Sequence, residues 1–254
     1  MTQLKALLWD VDGTLADTEE HGHRVAFNQA FAEIGLEWHW DVQLYGELLQ
    51  VTGGKERIQF FIDHYATPFI KPKDLKDFIA KLHQRKTHFY LERLQQGQIP
   101  LRCGVQRLIQ EARAAGLRLA IVTTTTPENV SYLLAATLGA EALQWFDCIA
   151  AGDIVPKKKP APDIYTYALA QLKLQPEECL ALEDSDNGLK SAHAAGVPTL
   201  VTVNEYTKTQ DFSQALLVLD HLGEPDQGIT VLQGEAGVRQ YVDVPLLRQL
   251  LANR

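Results

Sequence analysis

From about residue 105 onward, short and nearly unbroken apolar runs alternate with stretches whose apolar residues recur at helical spacing, and few folds accommodate that alternation. Val105, Leu108, Ile109 and Ala112 mark a helix face ended by Gly116, and Leu117 to Val122 is an apolar run that stops at four threonines. The spacing then predicts a helix over Pro127 to Leu138, a strand over Phe146 to Ala150 and a helix over Pro162 to Leu172, each helix opened by proline. Leu180 to Leu182 is a short strand that closes at Glu183-Asp184. Gly188 to Ala195 reads as a short helix ended by Gly196, Thr199 to Val203 as a strand, and Leu216 to Leu219 as the last strand candidate. Past Gly223 the pattern weakens, with Val244 to Leu251 a candidate terminal helix. Strands apolar on both faces and separated by helices imply an α/β chain of parallel βαβ units, with helices covering both faces of one sheet.

The N-terminal stretch supplies one more strand. Leu7-Leu8-Trp9 runs into Asp10-Val11-Asp12-Gly13-Thr14, so two aspartates one residue apart end the apolar run. A turn opened by Asp-Gly is the ordinary explanation. Burying an unpaired carboxylate is costly, however, and two so close point to a cation or a shared proton. After Leu15 the strand pattern gives way to helix. Asp17-Thr18-Glu19-Glu20 offers capping chemistry, Val25, Ala26, Ala30, Phe31 and Ile34 form a helix face, and two more helices centre on Phe60 to Ile62 and on Leu75 to Leu82. The expected organisation is a core of residues 1–16 and 92–254, interrupted by a helical segment from 17 to 91.

At 254 residues with an acidic excess of eight, the chain lacks the footprint of a nucleic-acid binder, and any anionic substrate must meet locally placed positive charge. Cys103, Cys148 and Cys179 fit no zinc spacing, and a reducing cytoplasm is the simplest setting. No apolar run approaches the roughly 20 residues of a membrane span, and the chain runs so directly into its first strand that no targeting peptide is expected. A monomer with no membrane or nucleic-acid partner is the expectation.

In an open parallel sheet the ligand site lies beyond the carboxyl ends of the strands, where their order reverses. Three apolar runs end in residues able to do chemistry: Asp10, Thr123 and Glu183-Asp184; a fourth leads into the loop that carries Lys159. Individually each has a plain explanation, as a turn, a β-branched strand end, a helix cap or a solvated lysine run. Their shared address argues otherwise. Asp10, Glu183 and Asp184 suit a hard cation such as Mg²⁺, and a fixed lysine with a threonine hydroxyl completes a site for a phosphoryl group. Asp10 is the candidate nucleophile, through an aspartyl phosphate, and Asp12 the candidate general acid and then base.

These residues resemble the signatures of the haloacid dehalogenase-like phosphatases: Asp10-Val-Asp-Gly-Thr14, Thr123, Lys159 before Pro160, and Glu183-Asp184-Ser185 with Asn187-Gly188. The resemblance implies a Rossmann-like core with an inserted α-helical cap, and Mg²⁺ held by Asp10, Asp12, Glu183 and Asp184. Glu20 and His23 before Ala26-Phe27-Asn28, with the loop Thr52-Gly53-Gly54-Lys55-Glu56-Arg57, resemble the branch of β-phosphoglucomutase and the sugar-bisphosphate phosphatases. That loop, Thr123 to Val130 and Lys158 to Tyr165 are similar to xylulose 1,5-bisphosphate phosphatases. The implied substrate contacts are Asp17, Glu20, His23, Gly53, Gly54, Lys55, Arg57, Thr124 and Thr125, with Lys55 and Arg57 gripping a second phosphate. Two other readings compete: a mutase that returns the phosphoryl group to a sugar, and a non-catalytic phosphate sensor on the same fold.

Overall fold

The computed structural model describes residues 3–51, 53–66 and 68–253. The chain divides into two compact units, one running up to Asp17 and from Pro100 onward, the other from Thr18 to Ile99.

The first unit is built on one sheet. Its strands are β1 (Ala6–Trp9), β2 (Arg118–Thr123), β3 (Cys148–Ala151), β4 (Cys179–Glu183), β5 (Thr199–Thr202), β6 (Leu217–Leu219) and β7 (Val231–Gln233). They lie in the order β3-β2-β1-β4-β5-β6-β7, parallel except for β7 against β6. After β3 the chain crosses back to lay β4 against the free side of β1, pairing Trp9 with Leu182. The order therefore reverses between β1 and β4, which places Asp10 and Asp184 at the crevice.

Every residue of β1 and β4 is buried, which is why both read as unbroken apolar runs. Ala6 and Leu8 join Ala120, Val122, Ala181, Ile164 and Tyr165 in a core on one face. Alternation sends Leu7 and Trp9 to the other.

The helices of this unit are α5 (Val105–Ala114), α6 (Pro127–Leu138), α7 (Asp163–Leu172), α8 (Asp186–Ala194) and α9 (Val244–Ala252), numbered after four in the other unit. The α8 helix begins two residues earlier than its apolar pattern suggests, because Ser185 caps it by accepting from the Gly188 amide at 3.2 Å. Phe146, expected in a strand, instead follows a short 3₁₀ turn over Ala142–Trp145, and β3 starts at Cys148. Strand β7 was not foreseen: Val231 and Leu232 are exposed at the sheet edge and show no alternation of buried and polar positions. The three cysteines are free.

The second unit is helical, with α1 (Val25–Glu33), α2 (Val42–Leu48), α3 (Gly54–His64) and α4 (Leu75–Gln95). Three features depart from expectation. Thr18 stands at the N-cap position but makes no side-chain cap bond, and the chain enters α1 through a π-helical turn over Glu19–Arg24. An unforeseen helix, α2, is capped by Asp41, whose carboxylate accepts from the Leu44 amide at 2.8 Å. The boundary expected at residue 91 falls inside α4, so the unit extends to Ile99.

Phe27, Phe31, Trp40, Tyr45 and Phe61 form this unit's aromatic core, and Trp40 is completely buried. The Asn28 amide holds the Trp40 main chain at both its N–H and its carbonyl. Among the described residues, no helix is long and apolar enough to cross a membrane.

Candidate active site

Asp10 directly follows β1, and its amide still donates to the Leu182 carbonyl of β4 at 3.0 Å. Glu183 ends β4 and Asp184 follows it, so the parallel pairing of the two strands brings three acids from distant sequence to one place. One carboxylate oxygen of each lies within 4.8 Å of the others. The loop between β3 and α7 supplies Lys159, whose ammonium donates to Asp10 Oδ1 at 2.7 Å, Glu183 Oε1 at 2.6 Å and the Val122 carbonyl at 2.8 Å.

One ammonium cannot neutralise three buried acids. Burial opposes the charge on Lys159, but Asp10 and Glu183 more than compensate and hold it above the ordinary lysine range. For Glu183, burial together with repulsion from Asp10 outweighs the attraction of Lys159 and pushes its carboxyl up to about 7. Burial first, then repulsion from Asp10 and Glu183, drives Asp184 well above the usual carboxylate range. Glu183 Oε2 is buried and has no hydrogen-bond partner among the described residues. Surplus negative charge, all-oxygen donors and an orphaned buried acceptor fit a hard divalent cation held by Asp10, Glu183 and Asp184. Asp12 is half-buried and its carboxylate is not among the clustered oxygens, because Asp12 has already left the strand for the turn.

Thr123 ends β2 fully buried, and its hydroxyl accepts from the Thr125 amide at 3.3 Å. Its own O–H remains available to donate. Thr124 is exposed, and Thr125 Oγ1 accepts from the Asn129 side chain at 3.1 Å. Asp17 pairs with Arg102 at 3.3 Å.

Three partners of the site were not singled out in the sequence. The Tyr165 hydroxyl donates to Glu183 Oε1. The Asn204 amide donates to Asp184 Oδ2 at 2.8 Å. Arg102 binds the Gly13 carbonyl, the carbonyls of Thr202 and Asp220 at 2.9 Å, and the Val203 carbonyl, tying the aspartate turn to the ends of β5 and β6. Gly13 has φ +83°, and a Cβ there would overlap Asp184 and Asn204. No local pattern marks such residues, since their partners are 18 to 118 positions away.

In the helical unit His21 is exposed, and His23 is half-buried and stacked on Tyr90 at 3.9 Å. Lys86 Nζ lies 2.7 Å from His23 Nδ1, and burial followed by the charges of Lys86, Arg57 and His83 holds His23 well below the ordinary imidazole range. Glu20 is half-buried. Gly53 precedes α3 at φ 96°, and Gly54 packs where a Cβ would strike the His83 ring. Lys55 is exposed, and Thr52 lies outside the described residues.

Arg57 was expected to grip a second phosphate. It is buried, and its guanidinium donates to the Leu48 carbonyl at 3.1 Å, the Tyr45 hydroxyl at 3.0 Å and the Val51 carbonyl at 3.3 Å. The side chain braces the turn before α3, adding a second donor to the Leu48 carbonyl, which also accepts from the Val51 amide at 3.0 Å, and supplying one to the Val51 carbonyl.

The profile of the haloacid dehalogenase-like hydrolases matches residues 4–196. The CbbY protein of Cupriavidus necator is 50% identical over 222 residues, covering 87% of each chain. CbbY of Rhodobacter capsulatus is 52% identical over 213 residues, covering 84% of this chain and 91% of its own. Among solved structures, an Asp-to-Asn variant of CbbY from Rhodobacter sphaeroides in complex with xylulose-(1,5)bisphosphate superposes with a TM-score of 0.72 at 46% identity, over 86% of this chain and 95% of that one.

Proposed function

Because the chain belongs to the haloacid dehalogenase-like hydrolase family and is an enzyme, a phosphoric monoester hydrolase, we propose that it removes phosphate from a small sugar phosphate, xylulose 1,5-bisphosphate, through an aspartyl phosphate on Asp10. The observation that carries this reading is the cluster of Asp10, Glu183 and Asp184 around one lysine. The bisphosphate bound to the Rhodobacter sphaeroides relative supports the choice of sugar. The protein acts as a cytoplasmic monomer.

Mg²⁺, when bound by Asp10, Glu183 and Asp184, supplies Lewis-acid neutralisation of a phosphoryl oxygen. The chain's own groups do the rest. Lys159 orients Asp10 and offsets negative charge that gathers on the equatorial oxygens. The Thr123 hydroxyl donates to one of those oxygens, and Thr124 and Thr125 contact the same group. The Asp10 carboxylate attacks phosphorus in line while Asp12 gives its proton to the departing sugar oxygen. Asp12 then takes a proton from water, which cleaves the acyl phosphate, releases inorganic phosphate and restores Asp10. Asp17, Glu20, His23, Gly53 and Gly54 contact the sugar, and Lys55 takes the second phosphate.

The test is phosphate release from a panel of sugar phosphates and bisphosphates, with and without Mg²⁺, alongside Asp10→Asn. Mg²⁺-dependent release, strongest with xylulose 1,5-bisphosphate and absent in the variant, is expected. An isomerised phosphosugar with no inorganic phosphate would replace the hydrolase reading with a mutase.

A further inference from the structure

Tyr165 sits on α7 with its ring wholly buried among apolar residues that include Leu8, Val122, Ala181 and Ala192. A tyrosine in such a place must satisfy its hydroxyl, and here the hydroxyl donates to Glu183 Oε1, the oxygen that also takes the Lys159 ammonium. The ammonium stands 5.5 Å from the centre of the same ring. Two donors from different elements thus converge on one carboxylate oxygen, and among the described residues the other, Oε2, has no donor. Helix α8 leaves room for Oε2 only because residue 188 is glycine: a Cβ there would overlap it.

We propose that Tyr165 is a positioning residue of the cation site, its hydroxyl locking Glu183 so that Oε2 is presented to a bound Mg²⁺. Lys159 cannot do this alone. Its three N–H donors are taken by Asp10, Glu183 and the Val122 carbonyl, and its flexible stem follows whichever acceptor moves. The tyrosine ring has no such freedom, because the core packs around it. Residues that hold a metal ligand in this way typically change metal affinity by about 10- to 100-fold when removed. The inference rests on the Mg²⁺ site of the proposed function.

Mg²⁺ binding to the full chain, stripped of metal and free of substrate, is measured by calorimetry. The proteins are the parent, Tyr165→Phe, and Tyr167→Phe as a control on the same helix, where Tyr167 is partly buried against the same core. Tyr165→Phe is expected to bind Mg²⁺ about tenfold more weakly, with Tyr167→Phe matching the parent. In a Glu183→Ala background the Tyr165 substitution should add nothing. Unchanged affinity in folded Tyr165→Phe, or an equal loss with and without Glu183, would overturn the proposal. Should Tyr165→Phe not fold, the tyrosine absorption difference on adding Mg²⁺ to the parent is read instead: a signal lost in Glu183→Ala supports the role, and no signal refutes it. A parent that takes up no Mg²⁺ refutes the proposed function itself, and this inference with it.

Discussion

Replacing Glu183 with glutamine probes the charge balance of the site through stability alone. Glu183 is 1% exposed and faces two other acids with one lysine between them, which pushes its carboxyl from 4.5 up to about 7. At roughly 1.4 kcal/mol per pH unit, that rise corresponds to about 3 kcal/mol. The folded chain holds this proton more tightly than the unfolded chain does. The contribution is therefore fully present below about pH 4.5 and is lost as the pH climbs through about 7. Glutamine carries no such proton. In metal-free buffer, urea unfolding of the two proteins from pH 4.5 to 8 should show the variant gaining about 3 kcal/mol on the parent across that window. Mg²⁺ at saturating concentration should then recover stability at pH 7.5 for the parent and much less for the variant, by mass action on the folded state. Stability curves that run parallel over the whole pH range would refute the claim that Glu183 is charged at a cost.

Three further outcomes follow from named contacts. Gly188→Ala, which on an ordinary helix would stabilise, should instead weaken Mg²⁺ binding by at least about tenfold, because its Cβ overlaps Glu183 Oε2; a Mg²⁺ titration with a thermal melt separates the two effects. Asp10→Asn should abolish turnover while near-UV circular dichroism stays that of the parent, and residual turnover above about a thousandth of the parent's would remove Asp10 as nucleophile. Arg57→Met should cost about 1–2 kcal/mol in urea unfolding, since it removes the guanidinium from the Val51 carbonyl and leaves the Leu48 carbonyl with the Val51 amide alone. Its ratio of bisphosphate to monophosphate turnover should match the parent's, and a collapse of that ratio would return Arg57 to the substrate.

The sequence by itself determined the alternation of elements and the address of the chemistry. Parallel strands buried on both faces must be apolar throughout, so β1, β2 and β4 announced themselves, and each apolar run stopped where Asp10, Thr123 and Glu183 emerge at one sheet edge. Period and run length are local properties, and they survive in the text. What only the tertiary structure decided is which side chain answers which. Arg57 was expected at a second phosphate, yet its guanidinium meets the carbonyls of a neighbouring turn, and Tyr165 carried no expectation of its own, yet its hydroxyl meets Glu183. Strand β7 and helix α2 were missed for the related reason that neither carries a long apolar period. A buried polar group is satisfied by whatever the fold brings within about 3 Å, and that choice depends on packing between distant segments, which no local pattern encodes.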